Sequence, residues 1–150
     1  QKTVTIRNFL IKSKIVKLAC DILNEKESTI CEINTILRMD PPFDTKNSLG
    51  WHQDGSLNEN KNNQSCIIWC PMTKITRKNG VIEALIKSHK KKGPTRAKYS
   101  DIFLKKYKSF IPEVEAGDIV IINHKTIHKS GYNSSDKIRF TLRSRFNKLP

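Results

Sequence analysis

No stretch of this chain is apolar for long enough to cross a bilayer. Its apolar runs, such as Ile119-Val120-Ile121-Ile122, fall far short of the ~20 residues a membrane helix needs. No positively charged, then apolar leader opens the sequence, and no internal repeat runs through it. Cysteine is limited to Cys20, Cys31, Cys66 and Cys70. Cys66 and Cys70 fall on one face of a predicted strand, about 13 Å apart at ~3.3 Å per residue. That exceeds the ~7 Å reach of a disulfide and argues equally against a shared zinc. Buried free thiols in a reducing, cytoplasmic setting are the reading that follows. A chain of 150 residues suits one domain, 1–150, with enough core to need no staple. It opens on Gln1 rather than Met, so we expect a piece of a longer protein.

Acidic residues are also few, 14 against 28 Lys and Arg, for a formal net charge of +14. Such a charge invites a nucleic-acid reading. Lysine far outnumbers arginine, however, and asparagine and isoleucine are abundant, a pattern that an AT-rich genome produces without functional meaning. Only Lys90-Lys91-Lys92 form a tight run. A nucleic-acid footprint requires clustering as well as charge, and the scatter weighs against it.

Periodicity predicts a helix over Ser13–Asn24, where Ile15, Val16, Leu18, Ala19, Ile22 and Leu23 recur at helical spacing. From Cys31 onward short β-rich runs alternate with turn residues. Strands are predicted near Ile33–Met39, Ser65–Trp69, Val81–Ile86, Asp118–Asn123 and Ile138–Phe146. The fold class is mainly β, a sandwich or jelly roll, with the N-terminal helix flanking it. Ser56–Gln64 is a polar loop or flap. Lys87–Pro112 is a basic insertion with a short helix at Asp101–Phe110 capped by Ser100.

Chemistry concentrates at Trp51-His52-Gln53-Asp54-Gly55. On an extended strand residues i and i+2 share a face, so His52 and Asp54 can reach one ion together. A distant second histidine would complete the 2-His-1-carboxylate triad of non-haem Fe(II) oxygenases. His128 is that candidate, because Ser130, Gly131, Asn133 and Arg139 follow it across a turn into the next strand. His124 lacks these followers and is read as structural. His89 is read as a turn residue and Gln53 as a packing residue. An iron with three protein ligands keeps positions open for a 2-oxoacid and O₂. The far carboxylate of 2-oxoglutarate then needs a planar cationic fork, which Arg139 offers, with Ser130 as a second donor.

These residues resemble the phytanoyl-CoA dioxygenase-like Fe(II)/2-oxoglutarate oxygenases. The likeness runs through Trp51-His52-Gln53-Asp54, Trp69, Asn79-Gly80, Ser88-His89, Ala116-Gly117-Asp118, His128-x-Ser130-Gly131-x-Asn133 and Arg139. It implies a double-stranded β-helix, a cupin-like jelly roll. His52, Asp54 and His128 would hold iron, Arg139 and Ser130 the co-substrate, and Trp69 and Met39 would line its pocket. It also implies hydroxylation of a small organic substrate with release of succinate and CO₂, and no catalytic side chain beyond the metal centre. Family members are longer at the N-terminus and carry Pro-Gly where this chain has Ile86-Lys87. Strict alternation on the last strand sets Arg139, Thr141, Arg143 and Arg145 against Ile138, Phe140, Leu142 and Phe146. Arg143 or Arg145 is therefore a candidate for binding an anionic substrate or the co-substrate, against the reading that both are merely solvated. The alternatives are a nucleic-acid demethylase of the same chemistry and a truncated, non-catalytic jelly-roll binding module.

Overall fold

The computed structural model describes residues 8–9, 14–27, 30–54, 64–90 and 99–148. The predicted flap at Ser56–Gln64 and the middle of the basic insertion lie mostly outside these residues. Seven strands are described: β1 (Ile30–Asp40), β2 (Ser65–Pro71), β3 (Glu83–Leu85), β4 (Ser109–Phe110), β5 (Val120–Asn123), β6 (His128–Lys129) and β7 (Arg139–Lys148). They form an antiparallel sheet in the order β1-β7-β2-β5 and a smaller one in the order β4-β3-β6. This is the mainly β, jelly-roll class the alternating runs predict.

The helix α1 (Ile15–Leu23) buries Ile15, Ala19, Cys20 and Leu23, the i, i+4, i+5, i+8 stripe of an amphipathic helix. Asn24 ends it in the left-handed region at φ 52, where asparagine is tolerated. The buried stripe lies on the outer face of the large sheet against Cys66, Ile68, Cys70, Leu142 and Phe146. The apolar side of the last strand thus meets the N-terminal helix, and its arginine side is turned to the interior. Cys20, Cys66 and Cys70 are buried and unbridged within this core. A second apolar cluster of Ile67, Trp69, Ile75, Val81, Ile82, Val120 and Ile122 fills the inner side of the large sheet.

Two elements differ from expectation. The helix α2 covers only Asp101–Leu104, with Ser100 Oγ accepting from the Phe103 amide at 3.3 Å. The following residues turn instead into β4, which pairs with β3, so strand pairing overrides the local helical pattern. The short strand β6 escapes prediction because His128 and Lys129 carry no alternating apolar signature.

The turn after β3 is pinned by Ser88. Ser88 Oγ donates to the Leu85 carbonyl and accepts from the Ile127 amide, both at 2.8 Å. Lys87 takes φ 64, a left-handed conformation that glycine adopts at no steric cost. Gly80 and Gly131 meet backbone to backbone beneath Arg139. A Cβ at Gly80, which has φ +92, would fall 2.5 Å from Arg139 Nη1, and one at Gly131 would overlap the Val81 carbonyl.

Three outcomes test this packing by chemical denaturation. Phe146→Ala removes a side chain only 1% exposed and should cost about 3–5 kcal/mol. Gly131→Ala forces two backbones apart and should cost at least about 2 kcal/mol. Lys87→Gly relieves the left-handed residue and should gain about 0.5–1 kcal/mol; a loss there would show that the turn depends on the lysine side chain.

Candidate metal centre

Backbone pairing assembles the site. His52 and His128 form an isolated antiparallel bridge, each amide donating to the other's carbonyl at 2.9 Å. Directly opposed residues of an antiparallel pair project to the same face, and the two imidazoles stand 4.3 Å apart between ring centroids. The Asp54 amide continues the ladder, donating to the His124 carbonyl at 2.9 Å. The i, i+2 rule then places Asp54 beside His52 on that face. Among the described residues, His52, Asp54 and His128 offer ligand atoms that all lie within 4.8 Å of one another.

The tautomers suit a metal. His52 Nδ1 sits 2.7 Å from the Gly50 carbonyl and His128 Nδ1 2.9 Å from the Thr126 carbonyl. A carbonyl can only accept, so each Nδ1 carries the proton and each Nε2 presents a lone pair. Both Nε2 atoms lie 3.6 Å from Asp54, His52 from Oδ1 and His128 from Oδ2. A divalent ion with ligands at ~2.0–2.2 Å brings neighbouring ligands to roughly this spacing. Asp54 Oδ2 is buried and accepts no well-aligned hydrogen bond, although Arg143 Nη2 lies 2.8 Å from it as an ion pair. A carboxylate facing two imidazole lone pairs is what an iron ligand set requires, and the residues fit the group.

Electrostatics favour the ligating states of Asp54 and His128, whereas His52 is drawn toward its protonated form and gives up that proton to a metal. Burial pushes the Asp54 carboxyl up, but His52, His128 and Arg143 together outweigh it and hold the group well below its ordinary 3.8. Burial dominates at His128 and lowers its pKa below 6.5 despite Asp54, keeping the ring neutral. At His52 burial is overcome by the Asp54 carboxylate and the Gly50 carbonyl, and the pKa rises.

The three ligands open on a cavity of about 340 Å³ that Trp69, Ser130, Arg139 and Arg143 also line. Arg139 is 3% exposed and bonds Asp40 through Nε at 3.2 Å and Nη2 at 2.8 Å. This pair is dictated by register, since Asp40 stands directly opposite Arg139 across β1 and β7. Asn133 Nδ2 ties the turn before β7 to the Asp40 and Lys137 carbonyls at 3.0 and 2.8 Å.

Other sequence candidates fall elsewhere. Met39 does not line the cavity; it is 53% exposed, because the pleat of β1 turns Ile36, Arg38 and Asp40 inward and Leu37 and Met39 outward. Ile36 lines the cavity instead. Arg145 is buried, not solvated, and gives Nη1 to the Asp54 carbonyl at 2.8 Å and Nη2 to Ser65 Oγ at 3.3 Å. Arg143 remains on the cavity wall. His124 Nδ1 faces the Ser65 carbonyl at 3.0 Å, and the Gln53 amide donates to the Lys125 carbonyl, so both brace the ligand strands. Sequence reasoning missed Arg38 and Asp40. Their R-x-D spacing on a strand is the same same-face signal that exposes H-x-D, but without a histidine it attracts no notice.

Comparisons with known proteins agree with this architecture. The crystal structure of EvdO2 from Micromonospora carbonacea var. aurantiaca complexed with 2-oxoglutarate superposes with a TM-score of 0.74 at 19% identity, covering 92% of this chain and 60% of that one. The non-haem α-ketoglutarate-dependent carbocyclase SnoK from nogalamycin biosynthesis gives 0.78 at 17% identity, over 96% and 59%. The epimerase SnoN in complex with Fe³⁺, α-ketoglutarate and nogalamycin RO gives 0.76 at 14% identity, over 97% and 61%. At these identities the likeness is one of fold, and the chain spans about three fifths of each structure's length. No curated protein matches the sequence. The family model of phytanoyl-CoA dioxygenase (PhyH) matches residues 1–141, nearly the whole chain. On that match, and with the jelly-roll fold and His-Asp-His cluster already described, this chain belongs to the phytanoyl-CoA dioxygenase family.

Proposed function

We propose that the chain carries the catalytic core of an Fe(II)- and 2-oxoglutarate-dependent oxygenase that hydroxylates a small organic molecule. The observation that carries the reading is the bridge that joins His52 to His128, with Asp54 beside them and the Ser130–Arg139 wall in the same cavity. Iron with 2-oxoglutarate and O₂ supplies the oxidising chemistry, with succinate and CO₂ as by-products.

The chain's own groups then have distinct tasks. His52, Asp54 and His128 would hold the metal. Ser130 and Arg139 mark the end of the cavity where the far carboxylate of 2-oxoglutarate is directed, and Trp69 forms an apolar side that limits water. Arg143, paired with Asp54, is the cation we assign to an anionic group on the substrate. Arg145 supports the site indirectly by fixing the Asp54 main chain. A small-molecule substrate is supported by the structural neighbour bound to nogalamycin RO. No described helix is long and apolar enough to cross a membrane.

Anaerobic reconstitution with Fe(II) and 2-oxoglutarate tests the reading. The protein should develop metal-to-ligand charge-transfer absorbance and, on exposure to O₂, release succinate. His52→Ala should abolish both signals. If the wild type gives neither signal despite a native melting profile, the chain is a non-catalytic jelly-roll module.

A further inference from the structure

The strand pair that carries both histidines holds a charged contact on its other face. Segment 49–54 lies outside the named strands and supplies two of the three candidate ligands. Its backbone joins β6 through the Ser130 amide on the Leu49 carbonyl and the two His52–His128 bonds, all at 2.9 Å. Successive residues of extended backbone project to opposite faces, so Trp51 and Lys129 leave the face that carries the imidazoles. There the Lys129 ammonium lies 4.7 Å from the Trp51 ring centroid and 2.8 Å from Glu83 Oε2. Glu83 stands directly opposite Lys129 in the β3–β6 register and also accepts from Ser109 Oγ at 2.6 Å. One ammonium thus links β3, β6 and segment 49–54 on a single face, and Ser109 extends the chain of contacts to β4.

We propose that Lys129 is a positioning residue for the metal: its ammonium latches Trp51, and with it the segment bearing His52 and Asp54, onto the strand that bears His128. The proposal rests on the metal-centre reading above. Strand β6 is held on its other side by β3, whereas segment 49–54 pairs with no second strand among the described residues. Lifting that segment is opposed by a few hydrogen bonds and by whatever pins its side chains. A cation against the face of tryptophan is attracted by the ring quadrupole, and Glu83 keeps the ammonium in place over the half-buried Trp51 ring. A metal held by His52, Asp54 and His128 escapes when the segment bearing two of these ligands moves away, so the contact slows its release. Arginine in place of Lys129 can both stack on the indole and pair with Glu83. Methionine keeps much of the stem and none of the charge.

The test follows Fe(II) release from the anaerobically loaded protein to a chromogenic chelator, with amide hydrogen exchange of the metal-free protein as a second readout. Lys129→Met should release iron at least about threefold faster, the range of one partly exposed cation–π contact. Lys129→Arg should match the wild type. Trp51→Leu should also speed release, and the Lys129→Met/Trp51→Leu double variant should be no faster than the faster single one, because both changes remove the same contact. In the metal-free protein, Lys129→Met should speed exchange of the His52 and Asp54 amides while β7 keeps its protection, which also shows that the variant is folded. Should Trp51→Leu fail to fold, the two Lys129 variants decide the matter between them. Release from Lys129→Met at the wild-type rate, or equally fast release from Lys129→Arg, overturns the latch and leaves the metal reading intact. If the wild type holds no iron, the metal reading falls and the exchange measurement judges the latch: unchanged exchange at His52 and Asp54 overturns it too.

Discussion

Two backbone hydrogen bonds between His52 and His128 are the constraint on which the site depends. They come from segments 76 residues apart in sequence, and neither belongs to a long strand. Once the two amides exchange bonds, the pleat leaves little choice: both imidazoles share a face, and Asp54, two residues on, joins them. The chain does not hold its three candidate metal ligands by elaborate side-chain scaffolding. The ladder that builds the sheet also sets their spacing, and the Gly50 and Thr126 carbonyls need only fix the ring tautomers. Such a site is as rigid as the strand pairing beneath it.

Charge around this frame is arranged in two matched groups, on positions four residues apart along β7. Arg143 faces Asp54 among the metal ligands, and Arg139 faces Asp40 at the far end of the cavity. Burying guanidiniums without partners would cost far more than their packing returns. Each acid therefore makes its arginine tolerable inside the barrel. Burial lowers the Arg139 pKa while Asp40 opposes the shift, so the group remains cationic in a nearly closed setting. The strongly basic composition is largely irrelevant to this interior balance.

Much of this was legible in the sequence, for reasons of unequal strength. The helix Ile15–Leu23 and strand β7 announce themselves by periodicity, since one face of each must be buried. The H-x-D pair and the His128 block are legible because metal ligands combine scarce residue types at fixed offsets. Met39 misled because a large apolar side chain looks like a pocket wall, whereas strand alternation gives the inward position to Arg38 and leaves Met39 outside. Arg38 and Asp40 were invisible for a related reason. An arginine and an acid on a basic chain look like surface residues until the β1–β7 register sets Asp40 opposite Arg139. The helix at Asp101 ran short because nothing local reveals that Ser109 and Phe110 find a partner in β3.

The contact of Gly80 with Gly131 has a consequence for how such a protein can diversify. One side of the cavity is made of peptide groups pressed together, with no side chain to enlarge, shrink or recharge. That side cannot be reshaped one residue at a time. Changes in what the cavity accepts must come from lining residues that carry side chains, such as Leu49, Ile82 and Lys129. The glycines thus divide the pocket into a portion closed to mutation and a portion on which selection can act.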